Sequence, residues 1–189
     1  MIKVAILILA LMAYATQERH KVWQSEGALW EDIVAKSPLK PRGHLNLGNF
    51  YFARGHLDKA IQKYVDTANL KDNRPPFHYR SAALSNIGAI FIGQRRYAEA
   101  EKMLEMSVAE EPSVAPAINL AVIQMRTGKV DKALALLTKM LDKEPSEPSL
   151  LFNRAEAYRL LGRCAEAEVD YLAAYRENPD SPVRTCDVQ

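Results

Sequence analysis

Most of what a catalytic or metal-binding chain carries is missing here. There are two cysteines, Cys164 and Cys186, and no C-x-x-C, which excludes a zinc knuckle and a c-type haem site. The four histidines, His20, His44, His56 and His78, include no i, i+4 pair and no H-E-x-x-H. No phosphate-binding loop, no G-x-G-x-x-G and no G-x-S-x-G elbow occurs, so no catalytic residue, cofactor or metal is expected. No asparagine opens an N-x-[ST] glycosylation signal. Charge of one sign is also lacking. The 25 Lys and Arg set against 23 Asp and Glu leave +2, too little to neutralise a phosphate backbone, so nucleic acid is excluded as a partner. Opposite charges instead alternate on helix surfaces, as in Asp58-Lys59 and Asp131-Lys132. The longest apolar run, residues 4–15, has twelve residues.

Proline is present, but only in five clusters: Pro38/Pro41, Pro75/Pro76, Pro112/Pro116, Pro145/Pro148 and Pro179/Pro182. Their first members lie 37, 37, 33 and 34 residues apart, with helical periodicity between them. Proline lacks the N–H and clashes with the preceding turn, so such spacing punctuates a chain of helix pairs.

Within each interval a large apolar residue precedes a small one on the first helix (A), and the second helix (B) carries an Ala with a large residue four positions on. The first interval reads Leu47-Gly48, Tyr51, Gly55, Ala60, Tyr64, and the second Ile87-Gly88, Phe91, Ala100, Leu104, Pro112. The third reads Leu120-Ala121, Gly128, Ala133, Leu137, Pro145, and the fourth Leu151, Ala155, Tyr158, Gly162, Ala167, Tyr171, Ala174, Pro179. Small residues let the helices approach and larger ones fill the gap. Over residues 41–179 this pattern resembles the tetratricopeptide-repeat (TPR) family. The resemblance implies an all-α, right-handed TPR superhelix, an αα-solenoid, with an apolar N-terminal helix before it. The expected divisions are 1–24 (anchor or signal helix), 25–40 (half-repeat), 41–80, 81–113, 114–147 and 148–181 (four repeats), and 182–189 (tail).

Two departures stand out. Gly48 and Gly88 are 40 residues apart, so a longer loop or extended helix end is expected around residues 73–78. In the third repeat Ala117, Ala121 and Gln124 replace bulkier residues, and a shallower groove wall is expected there.

A twelve-residue helix covers about 18 Å, short of the roughly 30 Å of a bilayer core. The apolar run therefore reads as the end of a membrane helix, as a secretory signal with Lys3 before it and Ala13-Tyr14-Ala15 as cleavage site, or as a buried cap helix. Beyond it, Trp23 and Leu29-Trp30 precede Pro38, with Ser25 placed to cap a helix over about 25–36. This stretch reads as an orphan helix B. The join resembles that of bacterial TPR-containing membrane glycosyltransferases, where the last membrane helix feeds the repeats. It implies a chain held at the bacterial inner membrane through residues 1–24, with the repeats outside the cytoplasm. Secretion after signal cleavage and a cytoplasmic location are the alternatives.

One polar residue recurs in register. Counting from Pro41, Ser81, Val114 and Pro148, the sixth position is Asn46, Asn86, Asn119 and Asn153. In the TPR fold this part of helix A faces the concave groove. Amides there can grip the N–H and C=O groups of an extended peptide, a ladder that resembles the TPR region of the O-linked GlcNAc transferase. The alternative is that they satisfy neighbouring backbone. Other expected groove residues are Arg42, Asn49 and Phe52; Ile118 and Met125; and Phe152 and Arg159, beside Glu156. Leu45 and Ala115 stand where chaperone-tail TPRs place lysines, so a terminal carboxylate is not the expected ligand. Helix B separates Cys164 from Cys186 by about 20 Å, so two free thiols are expected, with a staple on the tail as the alternative.

These features point to a scaffold that binds a protein or peptide in its groove near a membrane. The alternatives are an accessory TPR region of a membrane glycosyltransferase and a self-assembling protein whose end helices stack between chains.

Overall fold

The computed structural model describes residues 2–23, 25–70, 78–182 and 184. The described residues form helices and turns, with no strand among them. The helices are α1 (Ile2–Trp23), α2 (Glu26–Lys36), α3 (Pro41–Ala53), α4 (Leu57–Asn69), α5 (Tyr79–Gly93), α6 (Tyr97–Glu110), α7 (Val114–Arg126), α8 (Val130–Leu141), α9 (Pro148–Leu160) and α10 (Cys164–Glu177). They fall into two compact units, Met1–Tyr79 and Arg80–Gln189. The segment 71–77, where a longer loop or helix end was expected, lies outside the described residues.

Punctuation residues act where their chemistry allows. Pro41 and Pro148 open α3 and α9 at the first turn, where a missing N–H costs nothing. Ser25 caps α2, its hydroxyl accepting from the Ala28 N–H at 3.1 Å. Each A–B turn closes with a wide backbone bond reaching back five residues, His56 N–H to Tyr51 C=O at 2.9 Å and Arg163 N–H to Tyr158 C=O at 2.9 Å among them. This Schellman-type closure needs a left-handed residue just before the donor. Gly55, Gly128 and Gly162 supply it at φ 75°, 77° and 72°, and in the second repeat Arg95 stands there at φ 60°.

In the first unit α2 packs on α3 and α3 on α4. The interior holds Leu47, Ala60, Tyr64 and Thr67. Gly48 has no room for a side chain, since an added Cβ would lie 2.6 Å from the Tyr64 ring. Helix α1 packs against α2, while Val4, Ile6, Leu7, Leu9 and Leu11 along it are more than half exposed. No helix among the described residues is long and apolar enough to cross a membrane.

In the second unit α6, α7, α8, α9 and α10 pack in succession, and α7 also meets α9. Ser81 on α5 and Ser107 on α6 exchange hydroxyl-to-carbonyl hydrogen bonds of 3.1 and 2.9 Å in the interior. Ala100, Ala133 and Ala167 are fully buried, so the repeating Ala of helix B is a contact residue throughout. Ala117, Ala121 and Gln124 are buried too. They belong to the interior of the third repeat. The two alanines are fully buried and leave room for the neighbouring helices to approach.

Candidate peptide-binding face

The A helices share one pattern. In α5, residues Ser81, Ala83, Leu84, Ile87 and Gly88 are buried; in α7 the equivalent buried set includes Pro116, Ala117, Leu120 and Ala121. Positions two, five, six, nine and twelve fall on a different ribbon of the same helix, because their spacings of three and four residues keep one face. In the second unit α7 and α9 are in contact, and Ile118 and Met125 of the one and Phe152 of the other border the same core cluster.

The predicted residues are placed as follows. Asn86, Asn119 and Asn153, sixth from Ser81, Val114 and Pro148 on α5, α7 and α9, are half-buried, as is Asn46, sixth from Pro41 on α3 in the first unit. Asn153 Nδ2 donates to the Ser149 carbonyl at 2.7 Å. Ile118, Met125 and Phe152 are half-buried with one side on the core cluster that contains Leu137 and Leu150. Phe52 is 48% exposed on α3. Arg42 is exposed beside Trp30 and Lys40 in a pocket of about 410 Å³ between α2 and α3. Arg159 donates from Nη2 to Glu156 Oε2 at 3.0 Å.

Position nine shows a relationship missed in the sequence. Asn49 accepts a 2.8 Å hydrogen bond from the Tyr64 hydroxyl, and Glu156 a 2.5 Å bond from the Tyr171 hydroxyl. Both tyrosines are about 1% exposed, so each hydroxyl needs a partner at its ring's outer end. Where helix B carries Leu104 or Leu137 instead, position nine is Ala89 or Val122. The signal was present: Tyr on helix B coincides with a polar residue fifteen positions earlier.

The fourth repeat concentrates charge. Arg154 occupies the position that is Leu47, Ile87 and Leu120 in the others, and forms a two-pronged bond to Asp170 of α10 at 2.6 and 2.8 Å. Hydrogen bonding to Asp170 raises the Arg154 pKa further. Next to this pair Glu156 is surrounded by Tyr171, Arg159 and Arg184 of the tail, the last with Nη1 3.2 Å from Glu156 Oε1. Burial pushes the Glu156 pKa up, but the bonds from Tyr171 and Arg159 and the charges of Arg159 and Arg184 outweigh it, so the net shift is downward. Burial first, then the bond to Glu156, pushes the Tyr171 hydroxyl up to about 12.

Cys164 is disulfide-bonded, which corrects the free-thiol expectation. Cys186 itself lies outside the described residues. No cluster of three or more His, Cys, Asp or Glu able to hold a metal occurs among the described residues.

Tetratricopeptide-repeat family matches cover residues 41–62, 80–109 and 118–182. The chain belongs to the TPR family. It is similar to the human protein O-mannosyl-transferase TMTC1, at 30% identity over 139 residues, which are 71% of this chain and 15% of that protein. Photosystem I assembly protein Ycf3 of Synechococcus sp. (strain WH7803) is 44% identical over 50 residues, 26% of this chain and 29% of Ycf3. Ycf3 of Prochlorococcus marinus (strain MIT 9211) is 32% identical over 118 residues, 58% of this chain and 66% of that one. The TPR chain therefore matches a small part of the first two relatives. Solved structures share the fold: MamA at TM-score 0.67 and 16% identity, covering 87% of this chain and 93% of MamA. The TPR protein YrrB, described as having an unusual peptide-binding site, superposes at TM-score 0.66 and 15% identity, covering 79% of this chain and 75% of YrrB.

Proposed function

We propose that this TPR chain is an assembly scaffold that holds an extended segment of another protein along the inner ribbons of its A helices. The observation that carries this reading is the register of Asn86, Asn119 and Asn153, three amides at one helical position and all half-buried. An amide at that position can donate to a peptide carbonyl and accept from a peptide N–H, whatever the side chains. The Asn153 bond to its own helix occupies one of its two donor hydrogens and leaves the carbonyl oxygen for a ligand. Photosystem I assembly protein Ycf3, a relative, is named for an assembly role, which agrees with a scaffold. The test is binding to an array of extended peptides by the wild type and by an Asn86→Ala, Asn119→Ala variant. About tenfold weaker binding with unchanged helical circular dichroism supports the ladder, and equal binding removes it.

Membrane seating through α1 is the second part of the proposal. Apolar residues occupy every face of its first half, and Leu7, Leu9 and Leu11 are about 60% exposed, a composition suited to lipid on all sides. Flotation with lipid vesicles tests it: Leu9→Glu with Leu11→Glu abolishes co-flotation if α1 is the anchor, and leaves it unchanged if it is not.

A second reading is an accessory TPR region of a membrane glycosyltransferase system, favoured by the 139-residue similarity to the O-mannosyl-transferase. Further apolar spans upstream in the native gene would select it.

A further inference from the structure

Arg184 lies against the face just described. Arg184 leaves solvent on one side only: its guanidinium lies 3.2 Å from Glu156 Oε1 and 5.7 Å from the centre of the Phe152 ring. Phe152 and Glu156 are positions five and nine of α9, the inner ribbon of the last repeat. We propose that Arg184 is an internal ligand of this ribbon, and that the acid–aromatic pair is a subsite for an arginine of the bound partner segment, which must displace the Arg184 side chain to enter.

Three features support a built subsite over a chance contact. The Glu156 side chain is 14% exposed, and its carboxylate is fixed from behind by Tyr171 at 2.5 Å and Arg159 at 3.0 Å. A carboxylate held in place offers its outer edge to an incoming guanidinium at little entropic cost. The Phe152 ring is likewise fixed, 5.6 Å from Tyr171, and presents a face for cation–π contact. The pair is also particular to this repeat, since positions five and nine are Ser85 and Ala89 in the second repeat and Ile118 and Val122 in the third.

The grip on Arg184 is weak enough to be reversible. Its side chain is 54% exposed, and a half-exposed ion pair contributes little. Occupancy comes from tethering, because Arg184 belongs to the same chain as its acceptor and is therefore present at high effective concentration.

This inference rests on the reading of the A-helix ribbon as the peptide face, so its test uses a different probe and different positions. A fluorescein-labelled peptide with the sequence of residues 178–189, Ser replacing the cysteine, is titrated in trans into the full chain. Arg184→Ala is expected to bind it about fivefold more tightly than the wild type, and the added substitution Glu156→Gln, isosteric and still able to accept from Tyr171, to remove that gain. A peptide with Ala in place of its Arg is expected to bind about fivefold more weakly. Equal affinity of the wild type and Arg184→Ala, or equal binding of the Arg and Ala peptides, overturns the proposal. Adding Asn86→Ala and Asn119→Ala to Arg184→Ala separates the two readings. A retained Arg-dependent gain keeps the tail subsite even if the amide ladder fails on the peptide array.

Discussion

The Tyr64 hydroxyl donates to Asn49 Oδ1 at 2.8 Å, tying the buried middle of helix α4 to the exposed side of α3. The same link recurs between Tyr171 and Glu156, and disappears together with its polar partner where helix B carries leucine. Asn49→Ala is expected to cost about 1 kcal/mol, because the 1%-exposed Tyr64 loses its acceptor. Tyr64→Phe in the same chain is expected to recover most of that loss. Urea unfolding of the two single variants and the double variant measures the coupling; additive effects would mean that the bond contributes nothing.

Arg95 holds the left-handed turn position at φ 60° that glycine fills in the other three repeats. A Cβ in that conformation costs about 1–2 kcal/mol, and glycine returns part of the gain through its freer unfolded chain. Arg95→Gly is therefore expected to stabilise the protein by about 1 kcal/mol, read as a higher urea midpoint at unchanged slope.

Asp170 is 4% exposed and its charge is met by Arg154. Arg154→Ala strands that carboxylate and is expected to cost about 3–5 kcal/mol, whereas Arg154→Leu with Asp170→Leu, which puts apolar residues where the second and third repeats have Ile87 with Met103 and Leu120 with Leu136, is expected to cost far less. Thermal unfolding distinguishes the two.

The Glu156–Tyr171 pair sets two opposite pH limits. The Glu156 pKa is lowered from 4.5, so its contribution is present above that value and is lost as pH falls through the folded pKa, when Arg159, Arg184 and Tyr171 face a neutral acid. The Tyr171 pKa is raised from 10.0 to about 12, so its contribution is full below pH 10 and lost as pH rises toward 12. Thermal midpoints of Glu156→Gln should converge on the wild type at acid pH, and those of Tyr171→Phe at alkaline pH. A constant gap across both ranges would contradict the assigned shifts.

Much of this was readable beforehand because it depends on local rules. Proline cannot continue a helix, so five proline clusters divided the chain into helix pairs, and the Ala of each helix B turned out fully buried because it is the point of closest approach. The in-register asparagines were legible for the same reason: period fixes face. The core role of Ala117 and Ala121 was not legible, because a small residue reads equally as a shallow wall or as a tight core contact, and only the packing partner decides. The state of Cys164 was misjudged because helix length gave a separation, while the path of the tail was not encoded in any period.

The sequence alone determined the TPR class, the all-helical fold and the shared register of the asparagines, because backbone chemistry and a period of 3.6 residues act over a few positions. Tertiary structure alone decided which groups meet: Tyr64 with Asn49, Arg154 with Asp170, and Arg184 with Glu156. Such pairings depend on how neighbouring helices cross and where a tail returns. Those are set by the summed packing of many side chains, and no short stretch of sequence carries that sum.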